Sequence, residues 1–504
     1  MAAITLGATL VGVEAIEVTV EVDLLRRLPC VVIVGLAAPS VRESVERVRS
    51  AILAAGCEFP RARVVVSLAP ADLRKDGTGF DLPIAIGMLA AAGQIQSAEA
   101  ARWILHGELS LDGHLRPVRG ALAVATLAQE RGAAGIIVPR ACGAEAALVA
   151  GLDVCVADRL DQVVAFFRGG AALDRAQPPA HPGPLQGPDL SEVRGQVLAR
   201  RALEVAAAGG HNLLLEGPPG CGKSMLASRL PGILPPMSAA ESLACTRIHS
   251  VAGTLQPGHG ALQRRPFRAP HHSISQAGLI GGASLQPGEV SLAHHGVLFL
   301  DEFPEFPRHA REALRGPLED RRVVLARAGG RVVLPASFML VAAANPCPCG
   351  YWGHPSRPCV CPPTLRERYR MRLSGPIVDR IDPRVGLDVV AASDLLARNH
   401  GESSASVRER VCAARAVQDA RYGGRIAHNA ELDAEEVLDA ADATPDALTL
   451  LQSHLDRTQA SARVGRRMLK VARTLADLDG AARVARPHIA EAITLRLDIE
   501  GEAP

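Results

Sequence analysis

The feature that most constrains this chain is a glycine-rich loop between an apolar run, 213–215, and a helix-like stretch, 225–230. Glycines let backbone N–H groups converge on a polyphosphate, and the start of the following helix adds positive potential. The lysine of such a loop reaches the outer phosphates, while the serine hydroxyl binds Mg²⁺. The order of strand, loop and helix therefore predicts a phosphate-binding α/β domain with these ligand-binding residues: Gly217, Pro218, Pro219, Gly220, Cys221, Gly222, Lys223, Ser224 and Met225.

The composition is typical of a globular protein with several domains. A chain of 504 residues suggests about three domains. It contains no apolar run approaching the ~20 residues of a membrane span, and residues 1–4 lack the basic start of a secretory signal. We therefore expect a cytoplasmic protein without membrane contact. The formal net charge of +2 does not mark a nucleic-acid binder, so a DNA surface would have to come from local clustering of basic residues.

Residues 1–168 alternate strand-like and helix-like segments, which is typical of a compact α/β domain. Four segments resemble the Lon-protease-like domain, of ribosomal S5-like fold, that opens ComM/YifB-type proteins: 34–39, 67–77, 80–83 and 107–120. A working peptidase of that type needs a serine nucleophile and a lysine base. No serine occurs in 76–81 and no lysine in 121–125, and Thr78 as a substitute nucleophile lacks an evident base. We therefore predict a domain without a catalytic dyad that serves as a scaffold or partner contact.

A linker rich in proline and glycine, 169–188, is predicted to join this domain to a second one, 189–391. The second domain contains the phosphate-binding loop. Val193 and Gln196 stand in the segment that lines the adenine pocket of AAA+ ATPases, although simple helix packing explains them equally well.

Two later apolar strands of this domain carry polar residues at their ends. The first, 297–300, is followed by Asp301, which can hold Mg²⁺ through water, and by Glu302, which can polarise an attacking water as general base. The second, 338–344, ends at Asn345, where AAA+ proteins use an amide to orient that water. A strand-end cap remains the alternative for Asn345.

Three blocks, 265–275, 281–283 and 287–302, resemble the magnesium-chelatase-like ATPase module. With the Lon-like domain in front of them, they extend the resemblance to the ComM/YifB family over nearly the whole chain. This resemblance implies a central AAA+ P-loop NTPase α/β domain, ATP and Mg²⁺ as ligands, and a homo-oligomer, expected to be a hexameric ring. It also implies a motor that drives branch migration of DNA junctions during uptake and recombination, acting on branched or single-stranded DNA without sequence specificity.

The long insert at 251–287 is one candidate for DNA contact, because it exceeds the length of a plain strand-to-helix connection. It carries three arginines: Arg264, Arg265 and Arg268. Paired histidines at 271–272 and 294–295 raise the alternative of a metal site. We do not favour that alternative, since adjacent side chains on a strand point apart and no carboxylate is fixed nearby.

A second candidate for DNA contact is the stretch 321–334, which predicts a β-hairpin turning at 328–330. Arg327 and Arg331 then flank the tip of the hairpin. In a ring, six such tips would converge on a central pore and contact phosphates without reading sequence. The alternative is a solvated hairpin without a ligand.

Two Cys-x-Cys pairs follow in a loop, 347–361, that is rich in proline and glycine: Cys347, Cys349, Cys359 and Cys361. Four thiolates can form a tetrahedral zinc site, with His354 as a spare ligand. We favour structural zinc over free thiols in an ordered loop, because an apolar-poor loop otherwise has little to hold it. Tyr351 and Trp352 either contact DNA bases or only cover the loop.

The segment 373–382 resembles the one that supplies the arginine finger in this family. The resemblance implies that Arg380 reaches across a subunit boundary to the γ-phosphate, which makes assembly obligatory for hydrolysis. A local salt bridge with Asp379 or Asp382 is the alternative.

From 392 to 504 the pattern is helical and predicts the helical lid of an AAA+ module. Within it, 461–478 resembles the second sensor helix of the family, and Arg463 is the residue we expect to contact the nucleotide. Three other arginines of this helix are predicted to form a solvated face: Arg466, Arg467 and Arg473.

The leading hypothesis is therefore an ATP-driven DNA translocase. Two alternatives remain, the motor subunit of a metal chelatase and an ATP-gated scaffold for recombination proteins. The Lon-like domain and the cysteine pairs argue against the chelatase, and only activity separates the scaffold from the motor.

Overall fold

A computed structural model gives the fold for residues 2–178, 187–256, 258, 260–282, 285–327, 330–373, 377–390 and 401–496. Several predicted features fall partly outside these residues: the linker at 179–186, the hairpin turn at 328–329, the arginine-finger segment at 374–376 and the domain boundary at 391–400. Among the helices that are described, none is long and apolar enough to cross a bilayer.

A mixed eight-stranded sheet is the centre of the N-terminal unit, with the strand order β10-β9-β8-β5-β1-β2-β4-β3. The strands in chain order, including the separate two-stranded ribbon β6–β7, are β1 Ala3–Val11, β2 Glu14–Leu25, β3 Cys30–Val34, β4 Arg63–Ala69, β5 Trp103–Leu105, β6 Glu108–Leu109, β7 Leu115–Arg116, β8 Gly135–Pro139, β9 Val154–Ala157 and β10 Asp174–Arg175. The hairpin β1–β2 is antiparallel and pairs residues from Ala3 opposite Val22 to Val11 opposite Glu14. The short strand β10 lies inside the range predicted as a linker and pairs with β9, so ordered sheet continues past residue 168.

Apolar helices cover this sheet. They are α1 Pro39–Arg42, α2 Ser44–Ala54, α3 Asp81–Ala91, α4 Ser97–Ala100, α5 Ala121–Glu130, α6 Arg140–Ala146 and α7 Leu160–Phe167. Every residue of α3 from Asp81 to Ala90 is buried, because the helix packs against β1 and β2 on one side and α2 on the other. The buried carboxylate of Asp81 is neutralised by Arg47, whose Nε lies 2.8 Å from Oδ2.

The central unit contains a five-stranded sheet with the order β12-β13-β16-β11-β17 and a separate hairpin, β14–β15. The strands are β11 Leu213–Glu216, β12 Phe267–Arg268, β13 Val297–Leu300, β14 Arg322–Arg327, β15 Gly330–Pro335, β16 Met339–Ala344 and β17 Arg384–Gly386. All pairs in the five-stranded sheet are parallel. Their carboxyl ends therefore share one edge of the sheet, which we call the carboxyl edge, and their amino ends share the opposite, amino edge.

Helices pack on both faces of this sheet, as parallel sheets require. They are α8 Val197–Gly209, α9 Lys223–Ile233, α10 Ala239–Ala252, α11 Gln276–Ile280, α12 Glu289–Leu292, α13 Arg308–Ala313, α14 Arg315–Asp320 and α15 Pro363–Met371.

The C-terminal region is helical. Its helices are α16 Ser404–Tyr422, α17 Glu436–Ala441, α18 Pro445–Thr458, α19 Ala462–Leu478 and α20 Arg486–Thr494. Helices α16 and α19 pack against α8 of the central unit. The predicted fold class, α/β with a helical C-terminal region, is confirmed, while the domain boundaries stay predictions.

The N-terminal unit contacts the β14–β15 hairpin through the turn between β1 and β2. Val13 belongs to the same buried cluster as Val332 and Leu334. The approach is close enough that a Cβ on Gly12 would lie 2.4 Å from Cγ1 of Val332, and Gly12 has a φ of 66°. Only glycine suits this position, since it combines a left-handed backbone with a tight contact.

Candidate nucleotide site and metal centre

The phosphate-binding loop joins β11 to α9 at the carboxyl edge of the central sheet. Leu213, Leu214 and Leu215 are fully buried, which anchors the strand between β16 and β17. Gly220 and Gly222 have φ values of 81° and 97°, a conformation that side chains with a Cβ rarely adopt. The loop thus turns sharply and directs its backbone toward the start of an eleven-residue helix, the arrangement that binds anionic phosphates.

Lys223 is buried and hydrogen-bonded within the loop. Its Nζ donates to the carbonyl oxygens of Gly217 at 2.6 Å and Pro218 at 3.1 Å, and to Oδ1 of Asn345 at 3.0 Å. Burial lowers the pKa of Lys223 from its usual value, with nearby Cys221 and Asp301 opposing the shift. The structure therefore brings Lys223 and Asn345 together, and a phosphate oxygen would replace the loop carbonyls as acceptor.

The two residues predicted to bind Mg²⁺ are in direct contact. Ser224 Oγ donates a hydrogen bond to Oδ2 of Asp301 at 2.7 Å. A hydroxyl and a carboxylate oxygen are ligands that Mg²⁺ prefers, and the ion commonly keeps waters and phosphate oxygens as its other ligands. The donor set therefore fits this ion.

Glu302 lies beside this pair and contacts a histidine that the sequence analysis did not assign to the site. Oε2 of Glu302 is 3.2 Å from Nδ1 of His272, and the centroid of the His272 ring lies 4.1 Å from that of His271, with the ring planes tilted by 35°. The signal that could have identified His272 is topological. It follows β12, whose carboxyl end lies next to that of β13, so a polar residue there falls near Glu302.

Gln196, in the entry segment of the domain, also reaches the loop. Its Nε2 donates to the carbonyl oxygens of Cys221 at 3.1 Å and Asp388 at 2.7 Å. Val193 is buried in the core of the domain. Gln196 thus ties β17 to the phosphate-binding loop, and its contact with an adenine ring stays a prediction.

Arg380 and Arg463 lie together, but at the amino edge of the sheet. Both line a cavity of about 190 Å³ with Asn212, the residue just before β11. Arg380 forms an ion pair with Glu319, and burial together with nearby Arg463 lowers the pKa of Arg380. The backbone from Asn212 to the phosphate-binding loop extends about 16 Å along β11. This distance is greater than the length of one arginine side chain.

Two of the three other arginines of α19 differ from the prediction of a solvated face, while Arg466 is exposed as predicted. Arg473 is fully buried, where it pairs with Asp477 and donates to the carbonyl oxygens of Ala481 and Ala482. Arg467 is mostly buried and pairs with Asp382. The prediction was wrong for these two residues, because an arginine can be buried when several acceptors satisfy its guanidinium group.

The four cysteines of the loop 347–361 converge on one point. Their sulfur atoms lie within 4.8 Å of one another, with Sγ–Sγ distances of 3.3 Å from Cys347 to Cys349 and 3.6 Å from Cys349 to Cys359. A cluster of four thiolates fits a tetrahedral zinc ion. His354 is not part of the cluster, since its Nδ1 accepts the backbone N–H of Ser356 and Arg357.

The arginines predicted to contact DNA lie in different surroundings, and the side chain of one of them is not described. Arg331 is exposed on β15 opposite Ala326. Arg327 ends β14, and its side chain lies outside the described part of the chain. In the insert, Arg265 pairs with Glu241 and Arg268 with Glu289, so these two charges are neutralised within the subunit.

The loop of the N-terminal unit that lacks a serine has no room for one at Gly79. A Cβ on Gly79 would lie 2.3 Å from Cε1 of His106, which is buried and donates a hydrogen bond from Nε2 to the carbonyl oxygen of Arg119 at 3.1 Å. The absence of a peptidase dyad from this domain stays a prediction.

Comparison with known proteins identifies relatives along almost the whole chain. Three family models match, described as magnesium chelatase subunit ChlI (residues 189–395), subunit ChlI of Mg-chelatase (20–142) and the ChlI C-terminal region (401–496). The chain is 43% identical over 490 residues to the uncharacterized protein YifB of Escherichia coli (strain K12), covering 96% of this chain and 95% of that protein. It is 41% identical over 502 residues to the competence protein ComM of Haemophilus influenzae, covering 98% and 97%. A segment of 122 residues is 30% identical to a DNA replication licensing factor homologue of Zea mays, covering 24% of this chain and 15% of that protein.

Proposed function

The chain belongs to the ComM/YifB family of magnesium-chelatase-like AAA+ ATPases, and from this premise we propose that it is a ring-forming motor that uses ATP hydrolysis to move DNA strands at junctions. The proposed ATPase activity is supported mainly by four side chains that lie together at the carboxyl edge. Lys223 contacts Asn345 and Ser224 contacts Asp301. In P-loop enzymes the lysine of the loop binds the phosphates of an NTP, and the serine of the loop and an aspartate after a neighbouring strand hold the metal ion.

Each of these residues has a separate role in the proposed reaction. Lys223 leaves the loop carbonyls and binds the β- and γ-phosphate oxygens, while Ser224 and Asp301 would hold Mg²⁺. When bound, this ion would supply positive charge that offsets the negative charge of the phosphates. Glu302 accepts a proton from the attacking water, and Asn345 orients that water toward the γ-phosphate.

Arg380 and Arg463 complete the site from a neighbouring subunit. Their position at the amino edge leaves both guanidinium groups out of reach of the phosphates in their own chain. A ring that sets the carboxyl edge of one subunit against the amino edge of the next brings both arginines to the γ-phosphate. In this arrangement hydrolysis depends on assembly.

His272 acts as a positioning residue for Glu302. We expect His272→Ala to lower kcat for ATP hydrolysis about three- to tenfold, the equivalent of one hydrogen bond, with little change in ATP affinity. His272→Gln keeps an N–H donor and should restore part of the rate. The exposed His309 supplies the control variant His309→Ala. A change in KM for ATP at constant kcat would argue against this role.

DNA is the proposed substrate for two reasons. One of the relatives that align over nearly the full length is a competence protein, and a shorter segment is similar to a DNA replication licensing factor homologue. Arg331 on the β14–β15 hairpin is the exposed cation that would contact phosphates. The descriptions of the family models favour a second candidate, the ATPase subunit of a metal chelatase.

The test is ATP hydrolysis by the purified full chain with and without single-stranded DNA. We expect DNA to stimulate turnover and Arg331→Ala to weaken DNA binding, lowering the slope of log affinity against log salt by about one per contact removed. Arg322→Ala, at the base of the same hairpin, is the matched control. An ATP hydrolysis rate that is the same with and without DNA would favour the chelatase subunit.

A further inference from the structure

The four-cysteine loop lies at the carboxyl edge next to the nucleotide site. It begins directly after Asn345 and Pro346, and Asn345 contacts Lys223. Gly350 packs so closely on the phosphate-binding loop that a Cβ there would lie 2.6 Å from Cδ of Pro219. A second subunit that completes the nucleotide site therefore approaches this loop as well.

The surface formed by this loop and α15 is strongly basic. Residues 351–372 contain five arginines and one glutamate, in a chain with a net charge of only +2. The Trp352 ring lies 5.3 Å from Cζ of Arg366 and 4.7 Å from Cζ of Arg370. Arg368 is exposed and forms no ion pair with any residue that the structure describes. The loop and helix thus hold several guanidinium groups beside the phosphate-binding loop.

The amino edge carries acidic residues around the Arg380 cavity. Glu319 lines the cavity, Asp320 ends α14 and Asp379 directly precedes Arg380, and all three are exposed. In the proposed ring, Arg380 and Arg463 face the phosphates of the next subunit. The three acidic residues beside these arginines would then lie against the basic α15 of the neighbouring subunit.

We propose that the four-cysteine loop and α15 form a subunit contact, held in shape by zinc and occupied by the acidic amino edge of a second copy of this chain. The inference rests on the proposed ring ATPase and adds a partner surface to it. Four thiolates around one zinc ion order a loop that has few apolar side chains of its own. The arginines then steer the neighbour into the orientation that places its Arg380 at the nucleotide.

Single-stranded nucleic acid is the other ligand that suits arginine and aromatic side chains. The neighbouring subunit fits better because both aromatic rings already have partners within the subunit. Tyr351 lies 5.3 Å from Cζ of Arg357 and accepts a hydrogen bond from it at 3.0 Å, while Arg366 and Arg370 lie over Trp352. The position beside the phosphate-binding loop also places the surface where two subunits must meet.

The first test is assembly of the full chain in ATPγS and Mg²⁺, followed by sedimentation velocity over a range of protein concentrations. We expect the double variant Arg366→Glu/Arg368→Glu to weaken assembly about tenfold or more, because each charge reversal places like charges at the contact. Arg26→Glu, an exposed arginine of the N-terminal unit, is the matched control. Adding Asp320→Arg to the double variant should recover assembly at least in part.

The second test is removal of the metal. We expect the purified chain to contain one zinc ion, and a zinc-selective chelator, with Mg²⁺ kept in excess, to shift the sedimentation profile toward monomer without loss of the helical circular dichroism signal. Re-addition of Zn²⁺ should restore assembly. This readout is independent of ATP turnover.

The outcomes separate the two proposals. Wild-type chain that stays monomeric with nucleotide overturns the ring ATPase and this contact together. If the wild-type chain assembles, and neither the double substitution nor zinc removal weakens assembly, the proposed contact is wrong but the ring ATPase is not affected. If the double variant assembles normally but loses affinity for an oligo-dT probe, the surface is a nucleic-acid site and the inference is wrong.

Discussion

Replacing Glu302 with glutamine is expected to abolish ATP turnover while leaving ATP binding intact. Glu302 directly follows Asp301 and is the carboxylate that we assign to accept a proton from water, since Asp301 already accepts from Ser224. Loss of a general base typically costs about 10²- to 10⁴-fold in rate. Phosphate release gives the turnover, and a fluorescent ATP analogue gives the affinity.

Glu305→Gln is the matched control for this variant. Glu305 follows Glu302 by three residues and pairs with Arg372 instead of facing the nucleotide. It should keep turnover close to that of wild type. Turnover by Glu302→Gln within threefold of wild type would remove Glu302 from the proposed mechanism.

Replacing Arg380 with alanine is expected to reduce turnover at least as severely, and mixing experiments should show that the residue acts on the neighbouring subunit. Arginine fingers contribute about 10³- to 10⁵-fold to related reactions. If Arg380 acts across the boundary, an equal mixture of Arg380→Ala and Glu302→Gln chains forms intact sites at about a quarter of its interfaces, which is the random expectation for two faces. Turnover should therefore return to about that fraction.

The control for mixing is a chain that carries both substitutions. Combined with Arg380→Ala, it supplies no intact Arg380 and should restore nothing. If the first mixture assembles but stays inactive, Arg380 acts within its own subunit or not at all, and the assignment of opposite sheet edges to one shared site would fail.

The sequence predicts the carboxyl-edge residues well because their positions depend on local features. The phosphate-binding loop has a fixed spacing, and Asp301 and Asn345 each follow a short apolar strand. Parallel pairing of those strands is enough to bring the strand ends together. The contacts from Ser224 to Asp301 and from Lys223 to Asn345 follow from that rule.

The parts of the site that the sequence does not predict depend on packing between distant segments. The contact of His272 with Glu302 requires the place of β12 at the edge of the sheet. The prediction for the buried Arg473 was wrong because two of its three partners, the carbonyl oxygens of Ala481 and Ala482, come from the turn after α19, and only Asp477 lies on the helix itself. Likewise, the helical pattern of 461–478 predicts that Arg463 lies on a helix. It does not predict which edge of the sheet lies near the first turn of that helix.

The measurement that tests a DNA motor most directly is ATP-dependent strand exchange on a synthetic four-way DNA junction by the purified chain, with Glu302→Gln as the control. We expect exchange by wild type, none by the variant, and junction binding by both. Hydrolysis of ATP by wild type without any exchange, with the junction present and bound, would contradict the proposal that this ATPase is a DNA motor.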